Sequence, residues 1–332
     1  MIRLFSAAFL GLIFLAGCKN DLDLLSPQEE VMVVYSILSS TDSIHYVRVT
    51  KGFASEKDAP IVMAQDPKNL YYDSLHVSIT NLSLNETFSL SKVFMEKEGF
   101  DQEGNPAQFA TEGHHAYAAA FPLVEGHEYE LKVENPVTGK TAKSKIRLVK
   151  GPVNIIPNSA NIQIGFPIQV DTNFRIGFDG DPLAFAYDVR LLFVYEERNS
   201  STGVSFIDTI PLVIGAGKFN SQRRLQIVNR GNVFYDNIAD KLEQKGPEVS
   251  RKGLFIAMEY WSGDKELMTY MDVYGTSSIG VVQRRSDYTN IENGHGLFAG
   301  RHLQLEKGDN LHAYIRSNLV NHPNLRRFNF VD

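Results

Sequence analysis

Between Val31 and Leu148 the chain runs in short apolar/polar alternations separated by turn residues, the period-two signature of half-buried strands. Val31–Leu38 is apolar and β-branched, and Ser39–Ser43 is turn-like. In Ile44–Lys51, His45, Val47 and Val49 share one face while Tyr46 and Arg48 share the other, so the two runs predict a hairpin. Further strands are expected at Ser74–Asn81, Thr87–Phe94, His115–Phe121, Glu128–Glu134 and Thr141–Leu148, with Asn135–Lys140 as the turn between the last two. Ala54–Tyr72 reads as an excursion between strands, with a helical turn at Ile61–Ala64. About seven short strands without a helix of any length is the pattern of an immunoglobulin-like β-sandwich.

Lys150-Gly151-Pro152 and Pro157 interrupt the pattern and mark a boundary. Beyond them strands are expected at Gln163–Phe166, Asn173–Phe178, Ala184–Glu196, Val204–Ile214, Arg223–Asn229 and Gly253–Tyr260, and near Leu297–Leu305 and Leu311–Ser317. Two helices interrupt them. In Val233–Lys245, Phe234, Ile238 and Leu242 recur at i, i+4 and i+8 ahead of Gly246-Pro247. In Asp264–Tyr274, Leu267, Tyr270, Met271 and Tyr274 share a face, with Ser262 or Asp264 as the cap. The expected fold is mainly β: an immunoglobulin-like β-sandwich over 31–150, then a β-rich domain with two α-helices over 151–332.

The first thirty residues follow neither pattern. Arg3 precedes an apolar run from Leu4 to Leu15, shorter than the ~20 residues a membrane-spanning helix requires, and the run closes in Leu15-Ala16-Gly17-Cys18. This reads as a bacterial lipoprotein signal over 1–17, with Cys18 as the lipidated first residue of the mature protein and 18–30 as a flexible, acidic tether. Several acyl chains hold a protein at a membrane far more firmly than one. Cys18 is the only cysteine, so the folded part has no thiol for a disulfide or a thiolate metal site. The formal charge of −6, with no basic tail or Lys/Arg cluster, argues against nucleic acid as a partner.

Candidate chemistry is sparse. Gly275–Gly280 has two glycines and two serines, but a nucleophile elbow needs G-x-S-x-G after a strand, whereas this segment is one residue too long and follows a helix. Gly215-Ala216-Gly217-Lys218 is too short for a phosphate loop and reads as a hairpin turn. His114 and His115 are adjacent, so a strand would direct them to opposite faces, and the other histidines lack ligand spacing. Asp101–Asn105 and Asp179-Gly180-Asp181 are acidic turns without an EF-hand's spacing. Trp261, the only tryptophan, reads as core or interface, with sugar stacking as the alternative. Asn293, Gly294, His295 and Gly296 supply permissive backbone angles after an aromatic strand end; a glycine-rich ligand loop is the second reading.

The Leu15–Cys18 motif, the Val34–Leu38 and His45–Val49 hairpin and the run Tyr288–Phe298 together resemble a group of uncharacterised outer-membrane lipoproteins of Bacteroidota with an N-terminal immunoglobulin-like domain. The resemblance spans most of the mature chain and carries over no catalytic residue. It implies that Lys19, Asp21 and Asp23 act as a surface-export signal. It also implies that Asp42-Ser43-Ile44, Asp73-Ser74-Leu75 and Asp208-Thr209-Ile210 are O-glycosylation triplets, modified at Ser43, Ser74 and Thr209. The expected protein is a non-enzymatic binding or accessory component, anchored in the outer membrane by lipid, with an outer-membrane protein partner such as a TonB-dependent transporter, and no cofactor or metal. The small ligand is left open. The competing classes are a glycan- or peptide-acting hydrolase using carboxylates at Asp179, Asp181 or Asp264, and a structural adhesin.

Overall fold

The computed structural model describes residues 31–52, 60–63, 66–95, 114–158, 166–218, 224–275 and 287–332. Seven strands build the first half: β1 (Val31–Ser39), β2 (His45–Gly52), β3 (His76–Asn81), β4 (Glu86–Phe94), β5 (His115–Ala119), β6 (Glu128–Glu134) and β7 (Thr141–Arg147). Their inward faces follow the alternation in the sequence. Met32, Val34 and Leu38 of β1, Val47 and Val49 of β2, and Tyr129, Leu131 and Val133 of β6 are buried, whereas Tyr35, Ile37 and Arg48 face outward. The polar residues on the buried face are satisfied locally, since Ser36 Oγ donates to Tyr46 O (2.9 Å) and His45 Nε2 pairs with Phe121 O (2.9 Å).

The second half contributes β8 (Val153–Ile156), β9 (Asn173–Asp179), β10 (Ala186–Asn199), β11 (Ser205–Lys218), β12 (Arg224–Arg230), β13 (Val249–Gly263), β14 (Gly294–Lys307) and β15 (Phe330–Val331). It also contributes three helices, α1 (Gly231–Lys241), α2 (Lys265–Gly275) and α3 (Ala313–Asn321). Helices α1 and α2 stand where apolar spacing predicts them. Helix α3 replaces the strand expected at Leu311–Ser317. His312 Nδ1 accepts the Tyr314 N–H at its start, and Leu311, Ile315 and Leu319, four residues apart, are all buried. Gly215–Lys218 is a second correction, because it continues β11 opposite Ala186–Val189 instead of turning. The strand expected at Gln163–Phe166 lies almost wholly outside the described residues, as do Asp101–Asn105 and Thr276–Gly280.

One large sheet joins the two halves in the order β11-β10-β13-β14-β1-β2-β5-β4-β3-β6-β7, with β15 beside β13. The joint is β14, which runs antiparallel to β13 and parallel to β1 from Met32↔Gly294 to Ser39↔Arg301. Here glycine is required: a Cβ on Gly296, whose φ is +115°, would lie 1.9 Å from Val34 O, and one on Gly294 would lie 2.8 Å from Met32 O. The residues read as a turn or ligand loop are therefore mostly strand. Only Asn293, at φ 56°, keeps the turn conformation ahead of Gly294, His295 and Gly296.

Strand β4 pairs with β3 through Leu90 and with β5 from Ser91, which lets the sheet fold over itself into a sandwich. The far strand, β7, returns to the segment leading into β14, where Lys143 and Glu292 exchange backbone hydrogen bonds of 3.1 and 2.7 Å. Ile291 and Phe298 thus enter the core of the first half. A second core lies between the other end of the large sheet and a layer made of α1, α3 and the small sheet β12-β9-β8. At the large sheet's outer edge, Pro211 lacks an N–H and Asp208 Oδ1 accepts the Thr209 N–H (2.7 Å), which blunts β11 as a template for strand pairing. No described helix is long and apolar enough to cross a membrane.

Candidate functional site

Where the two halves meet, a cleft of about 890 Å³ opens between the β7–β8 connection, the β9–β10 turn and β14. Its size is within the range of small-molecule sites. Asp179 and Asp181, two of the carboxylates marked in the sequence, both line it. Asp179 ends β9, where Oδ1 meets Arg224 Nη1 at 2.9 Å and Oδ2 accepts from Asn154 Nδ2 at 2.6 Å. These two donors hold its carboxyl below the usual carboxylate range. Asp181 is buried and works on the backbone: Oδ2 accepts Lys150 N–H (2.6 Å) and Oδ1 accepts Leu183 N–H (3.2 Å), while its own N–H donates to Tyr187 Oη (2.8 Å). Each of the four carboxylate oxygens already has a partner.

The opposite wall was not foreseeable from sequence spacing. His302 of β14 places Nδ1 2.9 Å from Glu125 Oε1 and 3.1 Å from Ser40 Oγ, and Ser40 Oγ donates to Glu125 Oε1 at 2.9 Å. Burial lowers the His302 pKa, and the Glu125 carboxylate opposes that shift. With Nδ1 facing Glu125, Nε2 lies on the other side of the ring. It points at Gly151, where a Cβ would lie 2.6 Å from both His302 Nε2 and Gln304 Oε1. Serine and carboxylate share one ring nitrogen, whereas a nucleophilic triad needs them on opposite nitrogens. Among the described residues the lining contains no serine, threonine or cysteine.

Asp264, the third marked carboxylate, does not line the cleft. It caps α2 by accepting Leu267 N–H (2.8 Å) and also accepts Gly300 N–H (2.5 Å). Burial pushes its pKa up to about 6 against these two bonds. His114 and His115 do not diverge as a regular strand would make them. His114 precedes β5 and pairs through Nδ1 with Tyr71 Oη (2.9 Å), His115 opens the strand and packs on the Tyr71 ring (4.3 Å), and both are buried in the wall of one groove. Among the described residues no group of three or more His, Cys, Asp or Glu is placed to hold a metal ion. Trp261 sits half-buried on β13 between the guanidiniums of Arg190 and Arg301 (5.8 and 5.5 Å from its ring) and donates Nε1–H to Glu259 (3.1 Å).

Ser43, Ser74 and Thr209 are exposed, the first in the β1–β2 turn, the second ahead of β3 and the third on the edge strand. His295 is exposed on β14, with Nδ1 3.9 Å from Asp287. Cys18, Lys19, Asp21 and Asp23 lie outside the described residues.

No protein-family model and no curated protein matches the chain. Among solved structures, it is similar to the C-terminal globular domain of an oligosaccharyltransferase from Pyrococcus abyssi, at 11% identity and a TM-score of 0.23. The match covers 71% of this chain and 49% of that one, so the chain spans about half the length of the structure it matches.

Proposed function

We propose that this chain is a lipid-anchored outer-membrane lipoprotein that acts as a binding or accessory component of an envelope complex, beside a transporter of the TonB-dependent kind. The observation that carries the reading is the Leu15-Ala16-Gly17-Cys18 motif behind a short apolar run and ahead of an acidic tether that ends where β1 begins. The cleft favours recognition over hydrolysis. A glycosidase needs one carboxyl held protonated opposite a second, free carboxylate, whereas Asp179 and Asp181 are held by donors and Asp264 lies elsewhere. His302, Arg224 and Lys150 give a polar ligand charged and hydrogen-bonding partners along the cleft.

The test is to purify the native protein from membranes in mild detergent beside a Cys18→Ser form. The reading expects the native form to be processed, membrane-bound and associated with an integral outer-membrane protein, and the variant to be released from the membrane or left as precursor. A Cys18→Ser protein that is still processed and membrane-bound, or a native protein that purifies without a membrane partner, overturns it. Unchanged mass after chemical deglycosylation removes the modification of Ser43, Ser74 and Thr209.

A further inference from the structure

On the outward face of the first half, separate from the cleft, β1 and β2 form the floor of a groove of about 670 Å³. Tyr35 and Ile37 of β1 and Tyr46 and Arg48 of β2 point into it, and Asp42 and Arg301 stand at its end. The strand alternation that buries Val34, Leu38, Val47 and Val49 forces these side chains outward together, and Tyr35 is directly paired with Arg48 in the ladder. Tyr35 is braced from outside the groove by an edge-to-face contact with Tyr270 of α2 (6.1 Å between ring centres), so its ring is a fixed wall.

The charges do not balance. The exposed Arg48 has no carboxylate partner among the described residues. Arg301 reaches Asp42 through Nη2 alone, at 3.3 Å, and its Nε is buried without a hydrogen-bond partner. The guanidinium is also held against Trp261, which fixes its plane. Two guanidiniums therefore face one carboxylate in a protein whose net charge is −6. A buried donor left unpaired costs stability unless something else supplies the acceptor.

We propose that this groove binds a carboxylate carried on a six-membered ring, with the carboxylate on the Arg48 guanidinium and the apolar ring face lying against Tyr35, Ile37 and Tyr46. Both an aromatic acid and a uronic acid present this chemistry, and the guanidinium fork matches a carboxylate while the tyrosine faces accept either ring. The inference rests on this groove alone and stands or falls separately from the lipid anchor and the cleft.

The test is calorimetric titration of the full-length protein in detergent with benzoate and glucuronate, each against its neutral counterpart, benzamide or glucose. At least one of the two acids is expected to bind with a Kd of about 1 mM or tighter, and at least ~10-fold more tightly than its neutral counterpart. The acid that binds identifies the source of the ring. Arg48→Gln, at an exposed position, should keep the wild-type melting temperature and weaken binding by about 10-fold or more. Absence of binding by both acids, equal binding of acid and neutral ring, or an Arg48→Gln protein that binds as wild type overturns the proposal.

Discussion

Replacing Gly296 by alanine should be among the most damaging single-methyl additions in this protein. Two effects combine. At φ +115° an L-residue is strained, which costs about 1–3 kcal/mol. The added Cβ would also sit 1.9 Å from Val34 O and 2.8 Å from Val34 C, backbone atoms that can retreat only if the β1–β14 ladder opens, and overpacking of this kind costs a further ~1–3 kcal/mol. The sum, about 2–6 kcal/mol, is a large share of the ~5–15 kcal/mol by which folded domains are usually stable. Gly139→Ala provides the control, because Gly139 has φ +70° with nothing within 4 Å of its Cβ position and so incurs only the backbone cost. Urea denaturation followed by Trp261 fluorescence and far-UV circular dichroism measures both. Trp261 reports on the neighbourhood of the ladder, since it pairs with Leu303 of β14. If Gly296→Ala shifts the midpoint no further than Gly139→Ala, the close approach of β14 to β1 is not what Gly296 serves.

Arg251 is buried beside Glu197 and also donates to Phe328 O (3.0 Å) and Glu243 O (3.0 Å), so Arg251→Ala should cost about 3–5 kcal/mol and loosen the C-terminal segment, detected as earlier proteolysis after β13. Asp264 titrates at about 6 in the folded chain against 3.8 as its ordinary value, so the folded state binds the proton more tightly and this group's contribution is fully present below pH 4 and lost as pH rises through 6. As free energy that difference is ~3 kcal/mol. The stability difference between wild type and Asp264→Asn, measured in urea at pH 4 and pH 7, should move against wild type by an amount of that order, and a difference constant with pH refutes the assignment. Gly151→Ala meets only the ends of the Gln304 and His302 side chains, so it should leave the melting temperature within a few degrees while perturbing the His302 imidazole resonances by NMR; unchanged resonances would show that Nε2 does not face Gly151.

The strands of the first half were legible because one face of each is buried and the other is solvated, as in β2, where His45, Val47 and Val49 alternate with Tyr46 and Arg48. Leu311–Ser317 misled because seven residues contain apolar positions compatible with either period. The spacing that decides, Leu311, Ile315 and Leu319, runs past the end of that window. Gly215–Lys218 misled because small residues signal a turn, whereas Gly215 is small to accommodate Ile227, which a Cβ would approach to 2.6 Å. In the cleft, Asp179 and Asp181 could be marked because they are neighbours in sequence. Ser40, Glu125 and His302 could not, since only the insertion of β14 beside β1 brings them together. No local pattern encodes a parallel pairing across so much chain.

That pairing has a consequence for how the protein comes to be folded. The partner of the first strand is synthesised more than two hundred and fifty positions later (Met32 with Gly294), so the first half cannot close its own core as it emerges: Ile291 and Phe298 have not yet been made. That half completes its core only once β14 has been made, and the edge of β1 remains open until nearly the whole chain is present, the kind of non-local closure that slows folding and exposes a chain to misassembly. A truncation anywhere before Gly294 should deprive both halves of their common strand at once.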